Sequence, residues 1–285
     1  MKMLAQDYPI QELAWALEVS RSGYYRWLKG VESPRARCAR ELTARMAQIH
    51  QESRQTYGSP RVFQQLRRQG IHTSQNRVAR LMKAAGLRAR PKRAFRPRTT
   101  DSGHPHPVAP NRLKEAPVPN APDQIWVADI TYIWTVAGWV YLAAVMDLCS
   151  RKIVGWSIGL SLETTLVKEA LQQALAMRRP AAGLLHHSDR GIQYASSAFR
   201  ALLHTFQITA SMSAKGNCYD NAAMESFWST LKTELIHRRD FQDPAQVRLA
   251  VFDYIETFYN RRRLHSALGF KSPVEFEQEL NYKNN

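Results

Sequence analysis

Apolar residues recur at helical spacing from the start of the chain. Ile10, Leu13, Ala14, Leu17 and Val19 fall on one face, Ser20-Arg21-Ser22-Gly23 interrupts it, and Tyr24, Tyr25, Trp27 and Leu28 resume it. Helix, polar break and second helix predict a helix-turn-helix, which need not be complete. A second pair is predicted further on. Val62, Phe63 and Leu66 mark one helical face and Gly70 suits its C-terminal cap. Thr73 or Ser74 can cap the next helix, which carries Val78, Leu81 and Met82. Residues 1–97 thus read as a helical region of helix-turn-helix type. Residues 98–121 read as a linker, because Pro105, Pro107, Pro110, Pro117 and Pro119, with Pro122 just beyond, deny regular structure.

The texture changes at Ile125. Ile125–Trp134, rich in β-branched and aromatic residues, predicts a strand, and Ala137-Gly138 a turn. Trp139–Leu148 and Lys152–Leu160 predict two more strands, and Thr164–Arg178 a helix with Leu166, Ala170, Leu171, Ala174 and Leu175 on one side. Gly183–His187 reads as a short buried strand, Ser196–Phe206 as a helix, Ile208–Ser213 as a fifth strand and Asp220–His237 as a long helix. The tail, Pro244–Leu280, is helical with a break near Gly269-Phe270-Lys271-Ser272-Pro273. The order β-β-β-α-β-α-β-α predicts an α/β core over 122–285, a mixed sheet covered by helices.

Charge adds a partner to this picture. The 285 residues carry 40 Lys and Arg against 24 Asp and Glu, a net charge of +16. The excess is one-sided: residues 1–121 hold 23 basic and 8 acidic side chains, residues 122–285 hold 17 and 16. A polyanion meeting the first segment would release counterions, which points to nucleic acid. Ribosome binding, an acidic membrane surface or a merely solvated basic face also fit charge alone. Gln75, Asn76, Arg77 and Arg80 lie on one predicted helix and are of the types that read base edges or grip phosphates, although a basic helix packed on its neighbours looks similar. Arg88, Arg90, Lys92, Arg93, Arg96 and Arg98 could follow a DNA backbone. Cys38, Cys149 and Cys218 are too dispersed for a disulfide framework or a structural zinc site. The sequence has no signal-peptide pattern and no stretch of about 18 apolar residues, so a cytoplasmic protein without a membrane partner is expected.

Three carboxylates occupy informative places. Asp129 lies within Trp126-Val127-Ala128-Asp129-Ile130-Thr131-Tyr132, where a charge among apolar neighbours is expensive unless paired. Asp189 follows the fourth strand in His186-His187-Ser188-Asp189-Arg190-Gly191, and Glu225 sits about a turn into the long helix. If the first and fourth strands are neighbours and the helix crosses beside them, the three converge. Their repulsion would be relieved by hard divalent cations, which take oxygen ligands. Two such ions about 4 Å apart clamp the attacking and leaving oxygens of an in-line phosphoryl displacement. Lys232, two turns after Glu225, shares its face and could bind substrate phosphate; Asn221, four residues before Glu225, shares it too. His186 and His187 are softer ligands, so a positioning role suits one of them better. Asp147 reads as structural, and Tyr194, Asn217 and Tyr219 are polar groups near the site without an assigned role.

These residues carry a resemblance. Trp126–Tyr132, His187–Tyr194, Gly216–Phe227 and the tail segment Tyr259-Asn260-Arg261-Arg262-Arg263-Leu264-His265-Ser266-Ala267-Leu268-Gly269 resemble the motifs of the insertion-sequence-3 transposases. The 35 residues between Asp189 and Glu225 and the basic Lys232 match that pattern, over about Glu41 to the end of the chain. The resemblance implies an RNase H-like core, Asp129, Asp189 and Glu225 as catalytic metal ligands, Mg²⁺ or Mn²⁺ with two ions per site, and DNA cleavage followed by strand transfer. It also implies element terminal repeats and target DNA as partners, and a homo-oligomer on paired ends. An upstream-frame protein of the same element and a bacterial, nucleoid-associated location follow from it as well. Two other readings compete: a DNA-binding regulator that keeps the fold without chemistry, and an RNase H-type nuclease that hydrolyses without joining.

Overall fold

A computed structural model of the chain describes residues 1–30, 32–89, 107–214 and 221–284. The chain divides into two compact units, Met1–Arg88 and Ala89–Asn285. The boundary expected at 97 and 98, the start of the proline-rich stretch and the basic residues from Arg90 to Arg98 lie outside the described residues.

In the first unit, α1 (Ile10–Ala16) buries Leu13 and Ala14, and α2 (Arg21–Leu28) buries Tyr24. The expected break at Ser20–Gly23 is a helix start instead. Ser20 Oγ accepts from Gly23 N at 3.0 Å, and Arg21–Gly23 form the first turn of α2. Polar cap residues and an interruption look alike in a hydrophobicity pattern. The chain turns earlier, at Glu18, where φ is 51°. Three further helices, α3 (Pro34–Glu52), α4 (Ser59–Arg68) and α5 (Gln75–Ala84), pack on one another through Met46, Ile49, Val62, Leu66, Val78 and Met82, all fully or nearly fully buried. Gly70, at φ 74°, terminates α4: Gly70 N donates to Arg67 O and Ile71 N to Leu66 O, a closure that favours glycine. Of the two candidate caps for α5, Ser74 is the one used, its Oγ accepting from Arg77 N at 3.2 Å.

The second unit is built on a five-stranded mixed sheet. Its strands are β1 (Ile125–Thr135), β2 (Gly138–Asp147), β3 (Ile153–Gly159), β4 (Leu185–Ser188) and β5 (Thr209–Met212), in the order β3-β2-β1-β4-β5. The first three run antiparallel; β4 pairs parallel to β1 and to β5. This is the expected α/β, RNase H-like core. The helix α6 (Thr164–Arg178) lies over one face, where Leu171, Ala174 and Leu175 meet Trp126, Ala128 and Val145. Gly155 permits that approach: a Cβ there would stand 2.2 Å from Ala170 O. Side chains alternate along a strand, so Asp129 points to the opposite face, with Val127, Thr131 and Ile133.

That opposite face is held by later elements. After the short α7 (Ile192–Ala195) and α8 (Ser197–Thr205) comes α9 (Ala222–Glu234), which packs against β1. Then follow α10 (Pro244–Phe252), a π-helical stretch (Asp253–Tyr259) and α11 (Pro273–Asn284). The expected break in the tail is therefore longer than Gly269–Pro273, since regular helix is absent from Asn260 to Ser272 apart from one short turn at Ser266–Leu268. Asn260 explains why: its Oδ1 accepts from Ile153 N at 3.0 Å and its Nδ2 donates to Ile153 O at 2.9 Å, so its side chain replaces a missing strand at the edge of β3. Arg263 forms a buried two-pronged ion pair with Glu234 at the end of α9. Residues 107–121 of the proline-rich stretch follow the core: Arg112 N and Leu113 N donate to Ser211 Oγ, and Ala109 packs on the buried cluster. Among the described residues no helix is long and apolar enough to cross a membrane.

Candidate active site

Asp129 sits mid-strand with two donors on its carboxylate. Its neighbour Ile130 gives a backbone N–H to Oδ1 at 2.8 Å, and the indole of Trp228 gives Nε1–H to Oδ2 at 2.9 Å. Burial nevertheless dominates and, with the charges of Asp189 and then Glu225, lifts the carboxyl to about 7 against the two hydrogen bonds. Asp189 stands one residue past β4, beside β1 in the sheet, and its Oδ1 accepts from Gly191 N at 3.0 Å. A side chain at Gly191 would crowd that oxygen, since a Cβ would stand 3.0 Å from it. Glu225 is exposed in the first turn of α9, where the helix dipole favours an anion.

Asp189, brought near by the pairing of β4 with β1, and Glu225, on α9 packed against β1, thus both act electrostatically on Asp129. Among the described residues no three His, Cys, Asp or Glu side chains stand close enough to hold one ion.

Other expected residues fall at varied places. Lys232 does share the Glu225 side of α9, and its Nζ lies over the Tyr132 ring at 4.9 Å; burial lowers its pKa while Asp129 pulls it up. Asn221 caps α9 and donates through Nδ2 to Ala128 O at 3.2 Å, tying the helix to β1 beside Asp129; its Oδ1 is buried without a hydrogen-bond partner among the described residues. Gln75, Asn76 and Arg80 are exposed on α5 in the other unit, and Arg77 is half-buried with its guanidinium 3.5 Å from Cys38 Sγ. His187 positions β5, its two ring nitrogens lying 2.8 Å from Ser211 Oγ and 3.1 Å from Ser213 Oγ. Burial pushes His186 down to about 3, so it stays neutral. Asp147 is structural: fully buried, it accepts from Asp123 N, Ser150 N and Ser150 Oγ. Asn217 and Tyr219 lie outside the described residues. Trp228 carries no chemical signal of its own in the sequence, although its place three residues after Glu225 puts it on the same helical face.

The sequence matches the integrase core domain family at residues 119–218 and a second integrase core domain family at 206–273. An HTH-like domain family matches residues 37–95, which takes in α4, α5 and most of α3 and leaves out the first helix pair. The chain is 44% identical over 261 residues to the insertion element IS600 uncharacterized 31 kDa protein of Shigella sonnei, covering 92% of this chain and 96% of that protein. It is 39% identical over 275 residues to transposase InsF for insertion sequence IS3A of Escherichia coli (strain K12), covering 96% of this chain and 95% of that protein. Among solved structures, a simian T-cell lymphotropic virus intasome aligns at 16% identity and a TM-score of 0.48, over 81% of this chain and 74% of that one. The HTLV-2 integrase catalytic core aligns at 16% identity and a TM-score of 0.43, over 55% of this chain and 98% of that one. An integrase core preceded by an HTH-like region, with two-fifths of its residues shared with a transposase along nearly its whole length, decides the matter: the chain belongs to the insertion-sequence-3 family of DNA transposases.

Proposed function

We propose that Asp129, Asp189 and Glu225 are the catalytic carboxylates of this transposase and that they hold two Mg²⁺ or Mn²⁺ ions. The observation that carries the reading is the state of Asp129, a carboxyl raised to about 7 by burial, Asp189 and Glu225. Such a group is stabilised by an added cation. The donor set fits a hard ion, being all oxygen, and the unpartnered Asn221 Oδ1 beside β1 adds another oxygen. When bound, the ions would polarise the scissile phosphate and activate water or a DNA 3′-hydroxyl for in-line attack.

The chain's own residues do the rest. Ile130 N–H and the Trp228 indole hold Asp129 in one orientation and favour its ionised form. Lys232, a cation over the Tyr132 ring within the field of Asp129, binds the DNA phosphate, and Asn221, four residues before Glu225, is the second DNA contact of this helix. In strand transfer the 3′-hydroxyl oxygen forms the new P–O bond and releases its proton. The departing 3′-oxygen leaves with the electron pair of the broken bond and is protonated in turn. Residues 1–97 bind the element ends through α5, with Gln75 and Asn76 toward bases and Arg77 and Arg80 toward phosphates. The acting form is a homo-oligomer on paired ends, since each chain offers one set of three carboxylates and two ends must be joined. The upstream-frame protein of the same element and the bacterial nucleoid are its further partner and place.

The test is strand transfer with labelled terminal-repeat DNA. Asp129→Asn, Asp189→Asn and Glu225→Gln should each abolish cleavage and joining while DNA binding stays within about twofold. Wild-type joining by Asp189→Asn in Mg²⁺ would overturn the assignment.

A further inference from the structure

Along β1 the side chains that alternate with Asp129 become more exposed toward the hairpin turn. Ala128 is buried in the cluster that α6 covers, Ile130 and Tyr132 are half-buried, and Trp134 is 58% exposed. On β2, Trp139 stands directly opposite Trp134 and is 48% exposed. The two indoles meet edge-on at 4.9 Å, and the Tyr132 ring meets Trp139 edge-on at 5.2 Å. The Nζ of Lys232 lies 4.9 Å from the centre of the Tyr132 ring. Three aromatic rings and a cation thus form one continuous row at the end of the hairpin.

The turn is held without these rings. Thr135 Oγ1 donates to Gly138 O at 2.7 Å, and Val136 N and Ala137 N donate to Phe241 O at 3.0 Å and Gln242 O at 3.1 Å. Aromatic pairs across strands add to the pairing of β1 with β2, yet about half of each tryptophan is left in water. Aromatic surface in that position gains from a flat partner that covers it.

The neighbours of the row say what that partner is. Lys232 projects from α9, the helix that presents Glu225, so the row starts beside the proposed catalytic site. Asp129 and Trp134 are five residues apart on one strand, roughly 16 Å. A cation next to ring faces suits a nucleotide, whose phosphate meets the ammonium and whose base meets the rings. In a closed duplex each base is covered by the next, so only unpaired bases can stack on this row.

On the reading above that α9 and Lys232 face DNA, we propose that Tyr132, Trp134 and Trp139 are a stacking platform for unpaired bases of the DNA end at the active site, with Lys232 holding the adjoining phosphate. The substrate of the site is then a DNA end opened over its last few pairs, and the hairpin favours that opening by taking up the freed bases.

The experiment compares binding of the full chain to two probes, a terminal-repeat duplex and the same duplex with its last few pairs mismatched. The wild type should prefer the mismatched end by at least about fivefold, the lower bound for one stacked base. Trp134→Thr with Trp139→Thr keeps strand-forming residues and removes both indoles. It should lose that preference while its affinity for the closed duplex stays within about twofold. Trp134→Thr alone, at the more exposed ring, gives a second reading should the pair fail to fold, and should lower the preference at least about twofold. A wild type that binds both probes equally, or a folded threonine variant that keeps the full preference, would overturn the platform and leave the carboxylates untouched. Failure of the carboxylate reading shows elsewhere, as joining by Asp189→Asn in Mg²⁺.

Discussion

The indole Nε1 of Trp228 donates to Asp129 Oδ2 across 2.9 Å, linking α9 to the middle of β1 through residues 99 apart in sequence. Trp228 sits one helical turn from Glu225, so the helix that presents one carboxylate also orients another. Trp228 Nε1–H and Ile130 N–H work against the burial that raises Asp129.

Trp228→Phe keeps the aromatic bulk and removes that donor. A hydrogen bond to a charged group contributes about 1.5–3 kcal/mol, so joining should fall at least about tenfold. Asp129 should rise further, and the acid limb of the pH–rate profile should move to higher pH. A profile superimposable on the wild type would contradict this.

Asp129 also makes the metal-free protein pH-dependent. Its value in the fold, about 7, lies above its ordinary 3.8, so the fold favours the protonated form. The stability that Asp129 contributes is present below about pH 4 and lost as pH rises through about 7. In chelator, Asp129→Asn should therefore gain on the wild type from pH 4 to 7 and hold a constant advantage above. Melting temperatures of the two proteins across that range check it; a gap that narrows with rising pH would be the wrong sign.

Gly155→Ala should cost at least about 1–3 kcal/mol, because the new methyl would meet Ala170 O at 2.2 Å and Ala174 N at 2.7 Å. Backbone atoms on both sides leave it nowhere to go without parting α6 from β3. Urea unfolding measures the loss.

Arg263→Met strands Glu234 in the interior. The pair is almost fully enclosed, with Arg263 Nη2 2.8 Å from Glu234 Oε1 and Tyr254 Oη donating to the same carboxylate at 2.7 Å. Breaking one side of a buried pair costs about 3–5 kcal/mol. The double variant Arg263→Met, Glu234→Gln should recover part of that loss in the same unfolding measurement.

Arg77→Ala with Arg80→Ala should weaken DNA binding without touching the chemistry of preformed complexes. Each lost phosphate contact reduces the slope of log affinity against log salt by about 0.9, so the pair should flatten it by about 2. An unchanged slope would remove α5 from the interface.

The sequence by itself determined the elements whose signals are local. Thr164–Arg178 was legible to the residue, because one apolar stripe faces a sheet and the opposite side faces solvent. Asp129 was conspicuous because a charge inside an apolar strand breaks the local rule, and its spacing relations with Asp189 and Glu225 are linear facts of the chain. The bias of basic residues toward the first 121 positions likewise needs no structure. Tertiary structure alone decided what depends on distant partners. Strand order put β4 beside β1, and so Asp189 near Asp129. The edge of β3 is completed by Asn260, 107 residues from Ile153. Trp228 and Tyr194 have the composition of ordinary core residues, and only folding shows that one gives its N–H to Asp129 while the other keeps its hydroxyl unpartnered. Periodicity reports which side of an element is buried; it carries no information about which polar atom waits there, because that is fixed by a chain segment about a hundred residues away.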